Sequence, residues 1–191
     1  QVRNIFHVTL HHLRRAMGST RWITFDRNIY RVDRAPEPGR TLETDVDIML
    51  AACARVRMLA REQAAPSPAT LADVRRALDL YRGELAQGLV KDDWIVAHQD
   101  RVQAAWVHGM DALAHVAYRG GRYDEAASAL EQLLQREPLR ESAHRLYLET
   151  LAARGEPARA LAHYDELVTV LRREVGARPA RETAAIAERL R

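Results

Sequence analysis

Apolar side chains along residues 2–17 recur at steps of four, three and four: Phe6, Leu10, Leu13 and Met17. That spacing lays the four on a single stripe of a helix, and Gly18 stands where a glycine closes a helix C-terminus. The period then changes. Trp22-Ile23-Thr24-Phe25 and Ile29-Tyr30-Arg31-Val32 are β-rich runs on either side of Asp26-Arg27-Asn28. Asp and Asn favour turns, so a short β-hairpin is predicted. Residues 34–40 (Arg-Ala-Pro-Glu-Pro-Gly-Arg) read as a loop. They separate a first domain over 1–34 from a second over 45–191.

From Asp45 onward the pattern is helical only. Asp45–Glu62 forms the first of these helices, ended by the Ala/Pro/Ser-rich linker Gln63–Ala69. Thr70-Leu71-Ala72-Asp73 resembles a capping box and opens a helix to about Ala86. Asp92 or Asp93 caps the next, which runs from Trp94 to about Tyr118. The last third repeats at a fixed interval of 34 residues: Gly121 and Gly155, Ala126 and Ala160, Leu130 and Tyr164, Leu133 and Leu167. A 34-residue helix–turn–helix period is that of tetratricopeptide repeats, in which small residues such as Ala114, Ala126 and Ala160 let paired helices approach closely. Pro138 closes the first unit, whereas the second runs on to Val175 and ends at Gly176, with Pro179 beyond. The predicted class is therefore mainly α, a tetratricopeptide-like α-solenoid behind a helix plus hairpin.

Composition narrows the function. With 47% hydrophobic and 29% charged residues among 191, the chain is expected to fold as a soluble protein. The single cysteine, Cys53, excludes an internal disulfide and fits a reducing cytoplasm; with no basic cluster beside it, it reads as a small buried apolar residue. No apolar run approaches the ~20 residues of a membrane span. The chain opens on Gln1 with no initiator Met and is expected to be a fragment. The net charge of +3 is uneven, since residues 1–34 hold seven arginines against Asp26 and Asp33. A polyanion would meet this end first. No phosphate-binding loop or nucleophile elbow is present, and Asp92-Asp93 reads as ordinary helix capping, so no catalytic residue, enzyme activity or cofactor is expected. His7 and His11, four apart, could share a metal ion, but no third ligand accompanies them and none is expected.

An ordered set of residues carries a resemblance. It comprises Tyr81-Arg82-Gly83-Glu84-Leu85, Asp93-Trp94, Arg101, Gly121 with Glu125-Ala126, and Glu137-Pro138-Leu139 with Glu141 and Ala143-His144-Arg145. Ala160-Leu161 with Tyr164, and Glu174-Val175-Gly176 with Pro179 and Glu182-Thr183, complete it. Over roughly residues 45–185 this resembles the bacterial transcriptional activator domain, which follows a winged helix in the antibiotic regulatory proteins (SARP) and their relatives. Leu13-Arg14-Arg15-Ala16-Met17-Gly18 is similar to the close of an OmpR-type recognition helix, and Thr24 with Tyr30-Arg31-Val32 to its wing. Arg27 and Ile29 stand where such wings often carry glycine, and only the second half of a winged helix is present. The stripe Phe6/Leu10/Leu13/Met17 would pack on the helices that precede it in that fold.

The resemblance implies an activator that grips promoter DNA and contacts RNA polymerase, a regulatory domain of the same protein, or a second copy as a homodimer, with no membrane association. With the stripe turned inward, the opposite helix face is expected to carry Arg3, Asn4, His7, His11 and Arg14. Arg bridges guanine O6/N7 and Asn bridges adenine N6/N7, each worth about 1–3 kcal/mol of discrimination. His12, Arg15 and Arg21 suit phosphates, which position without specifying. By resemblance, Thr24, Arg27 and Asn28 are wing contacts. The alternative is a tetratricopeptide scaffold that binds protein only, its basic opening bracing acids such as Asp45 and Asp47. Most of the rings Trp94, Trp106, Tyr118, Tyr123, Tyr147 and Tyr164 are expected in the helical core.

Overall fold

The computed structural model describes residues 2–63, 65–85 and 93–191; the side chains of residues 2–4, 93 and 94 lie outside that description. The chain divides into two compact units, residues 1–44 and 45–191.

In the first unit, α1 (Val2–Ala16) leads through a single 3₁₀ turn (Thr20–Trp22) into β1 (Ile23–Asp26) and β2 (Ile29–Val32). Gly18 takes φ +75°, the left-handed conformation that ends a helix at low cost in glycine. The strands pair antiparallel in the register Ile23–Val32, Thr24–Arg31, Phe25–Tyr30, Asp26–Ile29. That leaves Arg27 and Asn28 alone in the turn, at φ 46° and 64°. Positive φ at both central residues matches the right-handed twist of the strands, which is why two-residue hairpin turns adopt it. A small core of Leu10, Trp22 and Ile23 lies between helix and hairpin, with Met17, Tyr30 and Leu42 packed on it. Residues beyond 34 belong to this unit. The Leu42 N–H donates to the Arg34 carbonyl at 2.8 Å, and the Arg40 guanidinium lies over the Trp22 ring.

The second unit is a helical solenoid of seven helices among the described residues. They are α2 (Asp45–Arg61), α3 (Pro68–Leu78), α4 (Asp93–Arg119), α5 (Tyr123–Arg136), α6 (Glu141–Ala153), α7 (Pro157–Val175) and α8 (Arg181–Leu190). α3 begins three residues earlier than the capping-box reading predicts. Ser67, not Thr70, is the cap: its Oγ accepts from the Thr70 N–H at 3.1 Å, and Pro68 fills the first helical position, where its missing N–H costs nothing. The helix also stops at Leu78 rather than near Ala86, which lies outside the described residues, as do Asp92 and the side chains of Asp93 and Trp94.

The 34-residue interval is visible in the backbone. After α4, the Gly121 N–H bonds to the Tyr118 carbonyl and the Arg122 N–H to that of Ala117; after α6, Gly155 and Glu156 bond to Ala152 and Leu151 in the same pattern. Both glycines have positive φ, 71° and 79°. Each pair of bonds caps the orphan carbonyls of one helix and launches the next at a fixed angle. Ala126 and Ala160, the paired small residues, are fully buried, as are Leu130, Leu133 and Leu167. Tyr164, the partner of Leu130, is half-buried. Close approach recurs between α2 and α4. A Cβ on Gly109 would sit 2.7 Å from the Cys53 sulfur. Cys53 itself is buried, and burial pushes its thiol up to about 11, so it is protonated and inert. Trp106 is buried in the same core, its Nε1 donating to the Leu78 carbonyl. The Arg136 guanidinium lies against Trp106 and against Tyr81.

Candidate nucleic-acid interface

α1 is tied to the start of the hairpin by one polar side chain. Arg14 turns back and donates from Nε (3.1 Å) and a terminal nitrogen (2.5 Å) to the Ile23 carbonyl at the start of β1. Phe6 stacks edge-on against Tyr30, with ring centroids 5.0 Å apart, and Tyr30 packs on its cross-strand neighbour Phe25. This corrects the predicted face of the helix. At about 100° per residue, Arg14 falls about 80° and His7 about 100° from Phe6, so both flank the apolar stripe instead of opposing it. Of the stripe, Leu10 is buried and Met17 half-buried, while Phe6 and Leu13 remain 46% exposed.

The face opposite the stripe is defined by position. Asn4, Val8, His11 and Arg15, spaced four, three and four, fall within about 60° of one another. His11, His12 and Arg15 are exposed there, with the rings of His11 and His12 edge to face. The side chains of Arg3 and Asn4 lie outside the described residues. A cleft of about 560 Å³ between α1 and the hairpin is lined by His7, His11, Arg14 and Arg15 on the helix, Ser19 and Thr20 on the turn, and Phe25 and Tyr30 on the strands. Arg21 is exposed beside it, on the one-turn helix that Ser19 caps. In the hairpin, Thr24 is exposed, and Arg27 and Asn28 occupy the turn itself, Arg27 lying 3.9 Å from Asp26.

Arg31 pairs with Thr24 across the strands and is exposed, so the two share the hairpin face turned away from Tyr30. Period-two alternation from Tyr30 carries that information. Val8 is exposed outside the apolar stripe, on the opposite face.

The solenoid has its own concave site. A cleft of about 320 Å³ is bounded by Glu131 and Leu134 of α5, His144 and Tyr147 of α6, and His163 and Glu166 of α7. His144 Nε2 lies 2.9 Å from the Pro138 carbonyl, which can only accept, so this nitrogen carries the proton. Its Nδ1 then accepts from His163 Nε2 at 2.8 Å, and both rings are neutral. Burial holds both imidazoles below their usual range, His163 at about 4, lowered further by His144 and Arg159. Tyr147 donates to Glu131 at 2.6 Å, and burial together with that carboxylate pushes its phenol up to about 12. The cluster ties three helices together with each partner in its neutral or paired form. Among the described residues, no group of three or more His, Cys, Asp or Glu side chains is arranged to hold a metal ion. No helix among them is long and apolar enough to cross a membrane.

Comparison with known proteins agrees with this architecture. Among curated proteins, none matches the chain. A solved structure described as Mycobacterium tuberculosis EmbR in complex with low affinity phosphopeptide superposes with a TM-score of 0.63 at 19% sequence identity. The match covers 98% of this chain and 49% of that one, so the chain spans about half the length of the protein it resembles. The family model for the bacterial transcriptional activator domain matches residues 44–191, the whole solenoid. The chain belongs to the bacterial transcriptional activator domain family, a family of transcription regulators.

Proposed function

We propose that this chain is part of a DNA-binding transcriptional activator, with residues 1–34 forming the second half of a winged helix and the solenoid serving as a tetratricopeptide-like protein-interaction domain. The observation that carries the reading is the pairing of α1 with its hairpin through Arg14 and Ile23, which leaves a helix face bearing His11 and Arg15 exposed on the same unit as an arginine-tipped turn. In this reading α1 enters the major groove and offers Asn4, Val8, His11 and Arg15 to the base edges. His7, His12 and Arg21 face phosphates, and Thr24, Arg27, Asn28 and Arg31 follow the adjoining backbone. Arg14 is chiefly a positioning residue. The exposed Phe6 and Leu13 are covered by the helices that complete the winged helix. The solenoid holds RNA polymerase, a regulatory domain or a second copy of the chain, and its cleft between α5, α6 and α7 is the natural seat for such a segment.

The test is fluorescence anisotropy with mixed-sequence duplexes over a salt series, using the protein with all residues its gene encodes ahead of Gln1. Affinity is expected to fall as salt rises, with a logarithmic slope near −0.9 for each phosphate neutralised. Arg21→Ala is expected to shrink that slope by about one, and Arg15→Ala to relax specificity at the base it reads. Absence of binding even at low salt would refute the reading and leave a protein-binding scaffold.

A further inference from the structure

The outward stripe of α1 contains one residue that a purely electrostatic surface does not explain. Val8 is 56% exposed, yet the other members of its stripe, Asn4, His11 and Arg15, are all polar, on a unit whose first 34 residues carry a net charge of +5. Its neighbours Phe6 and Leu10 turn to the hairpin side, and the helix rotation places Val8 about 170° from the centre of that apolar stripe. An exposed branched side chain in a helix is stiff at χ1, so its two methyls are held in one orientation and lose little freedom when covered. Of the four base pairs, only those containing thymine present a methyl group in the major groove, beside the O4 acceptor.

We infer that Val8 reads a thymine through contact between its methyls and the thymine 5-methyl group, making it a specificity-determining residue of the interface. The inference rests on the DNA-binding reading above. The occupant is duplex DNA because the stripe is otherwise cationic or hydrogen-bonding: His11 follows Val8 one turn along the helix, and Arg15 one turn further. Ile5, 65% exposed, lies off this line, about 60° from Val8 on the side away from His11. It is not part of the reading set.

The experiment uses the protein with all residues its gene encodes ahead of Gln1. A tight duplex is selected from a random pool, and each thymine in turn is replaced by deoxyuridine, which removes the methyl and leaves the pairing edge intact. At one thymine per reading helix the exchange is expected to weaken binding about fourfold, equivalent to about 0.8 kcal/mol for one buried methyl-sized group. Val8→Ala is expected to bring the thymine-to-uridine ratio at that position close to one. Because Ala is the better helix former, the variant keeps α1 intact. Ile5→Ala is expected to leave the ratio unchanged. A duplex that binds with the expected salt slope but ignores every exchange would overturn the role of Val8 while sparing the DNA-binding reading. Persistence of the ratio in Val8→Ala, or its loss in Ile5→Ala, would also overturn the assignment. If no duplex binds at any salt concentration, both readings fall together.

Discussion

Glu141 offers the sharpest test of what holds the end of the solenoid in place. It lies in the first turn of α6, yet its Oε1 accepts from the Ala180 N–H at 2.6 Å and from the Thr183 hydroxyl, both at the start of α8. Ala180 has no side chain able to cap that helix, so the cap comes from a residue 39 positions away. α8 has only ten residues, too few to persist alone in water, and it depends on this cap and on burying Thr183, Ile186 and Ala187. Hydrogen bonds to a charged acceptor contribute about 1.5–3 kcal/mol each, and a buried hydroxyl left without a partner costs about 1–3 kcal/mol. Because the two bonds share one oxygen and Thr183 is fully buried, a loss of about 3 kcal/mol is expected for Glu141→Ala. By hydrogen exchange, α8 amides should lose protection by about a hundredfold, while those of α4 and α5 stay protected. Glu141→Gln, which keeps an acceptor oxygen but not the charge, should lose about a third of that. In a double-mutant cycle with Thr183→Val, the coupling should exceed about 1 kcal/mol. Unchanged α8 protection in Glu141→Ala would refute the cap.

The histidine pair makes stability depend on pH. Both imidazoles are held below their ordinary range, so the unfolded chain binds protons that the folded chain refuses; stability is full above about pH 6.5 and falls as pH drops toward 4, by about 1.4 kcal/mol per unit for each proton. Urea midpoints from pH 7 to 4.5 should fall less steeply in His163→Gln than in the parent, and equal slopes would count against the neutral pair. Gly109→Ala gains helix propensity but drives a methyl to 2.7 Å from the Cys53 sulfur, so a net loss of about 1–2 kcal/mol is expected by chemical denaturation. Cys53→Ala should recover most of it in the double variant. At the hairpin, Arg27 takes φ 46° at a cost of about 1 kcal/mol that asparagine largely avoids. Arg27→Asn should slow exchange of the cross-strand amides and remove one cation from the DNA salt slope; faster exchange would contradict the turn assignment.

Features carried by local chemistry are legible in the sequence. The stripe of α1, the two strands and the glycines that repeat after 34 residues each rest on neighbours a few positions apart, and each is present. The start of α3 was misjudged because two capping signals compete there; Pro68 decides for Ser67, since a proline at the first helical position is already in the helix. Arg14 departs from the expected face because its rotation places it beside the apolar stripe, where its long, flexible side chain reaches an acceptor nine residues on. The links from Glu141 to α8 and from His144 to His163 could not be read at all. They join residues 39 and 19 positions apart, and only the stacking of α6 against α7 and α8 brings them together.

The Arg14 bracket has one more property. Its acceptor is a main-chain carbonyl, present whatever side chain stands at position 23. Sequence drift along β1 therefore leaves the clamp in place, and the tip can be rebuilt without releasing the helix. Only loss of the guanidinium at position 14, or a one-residue slip of the strand, undoes it. The hairpin is free to diversify while the angle between helix and hairpin is inherited unchanged.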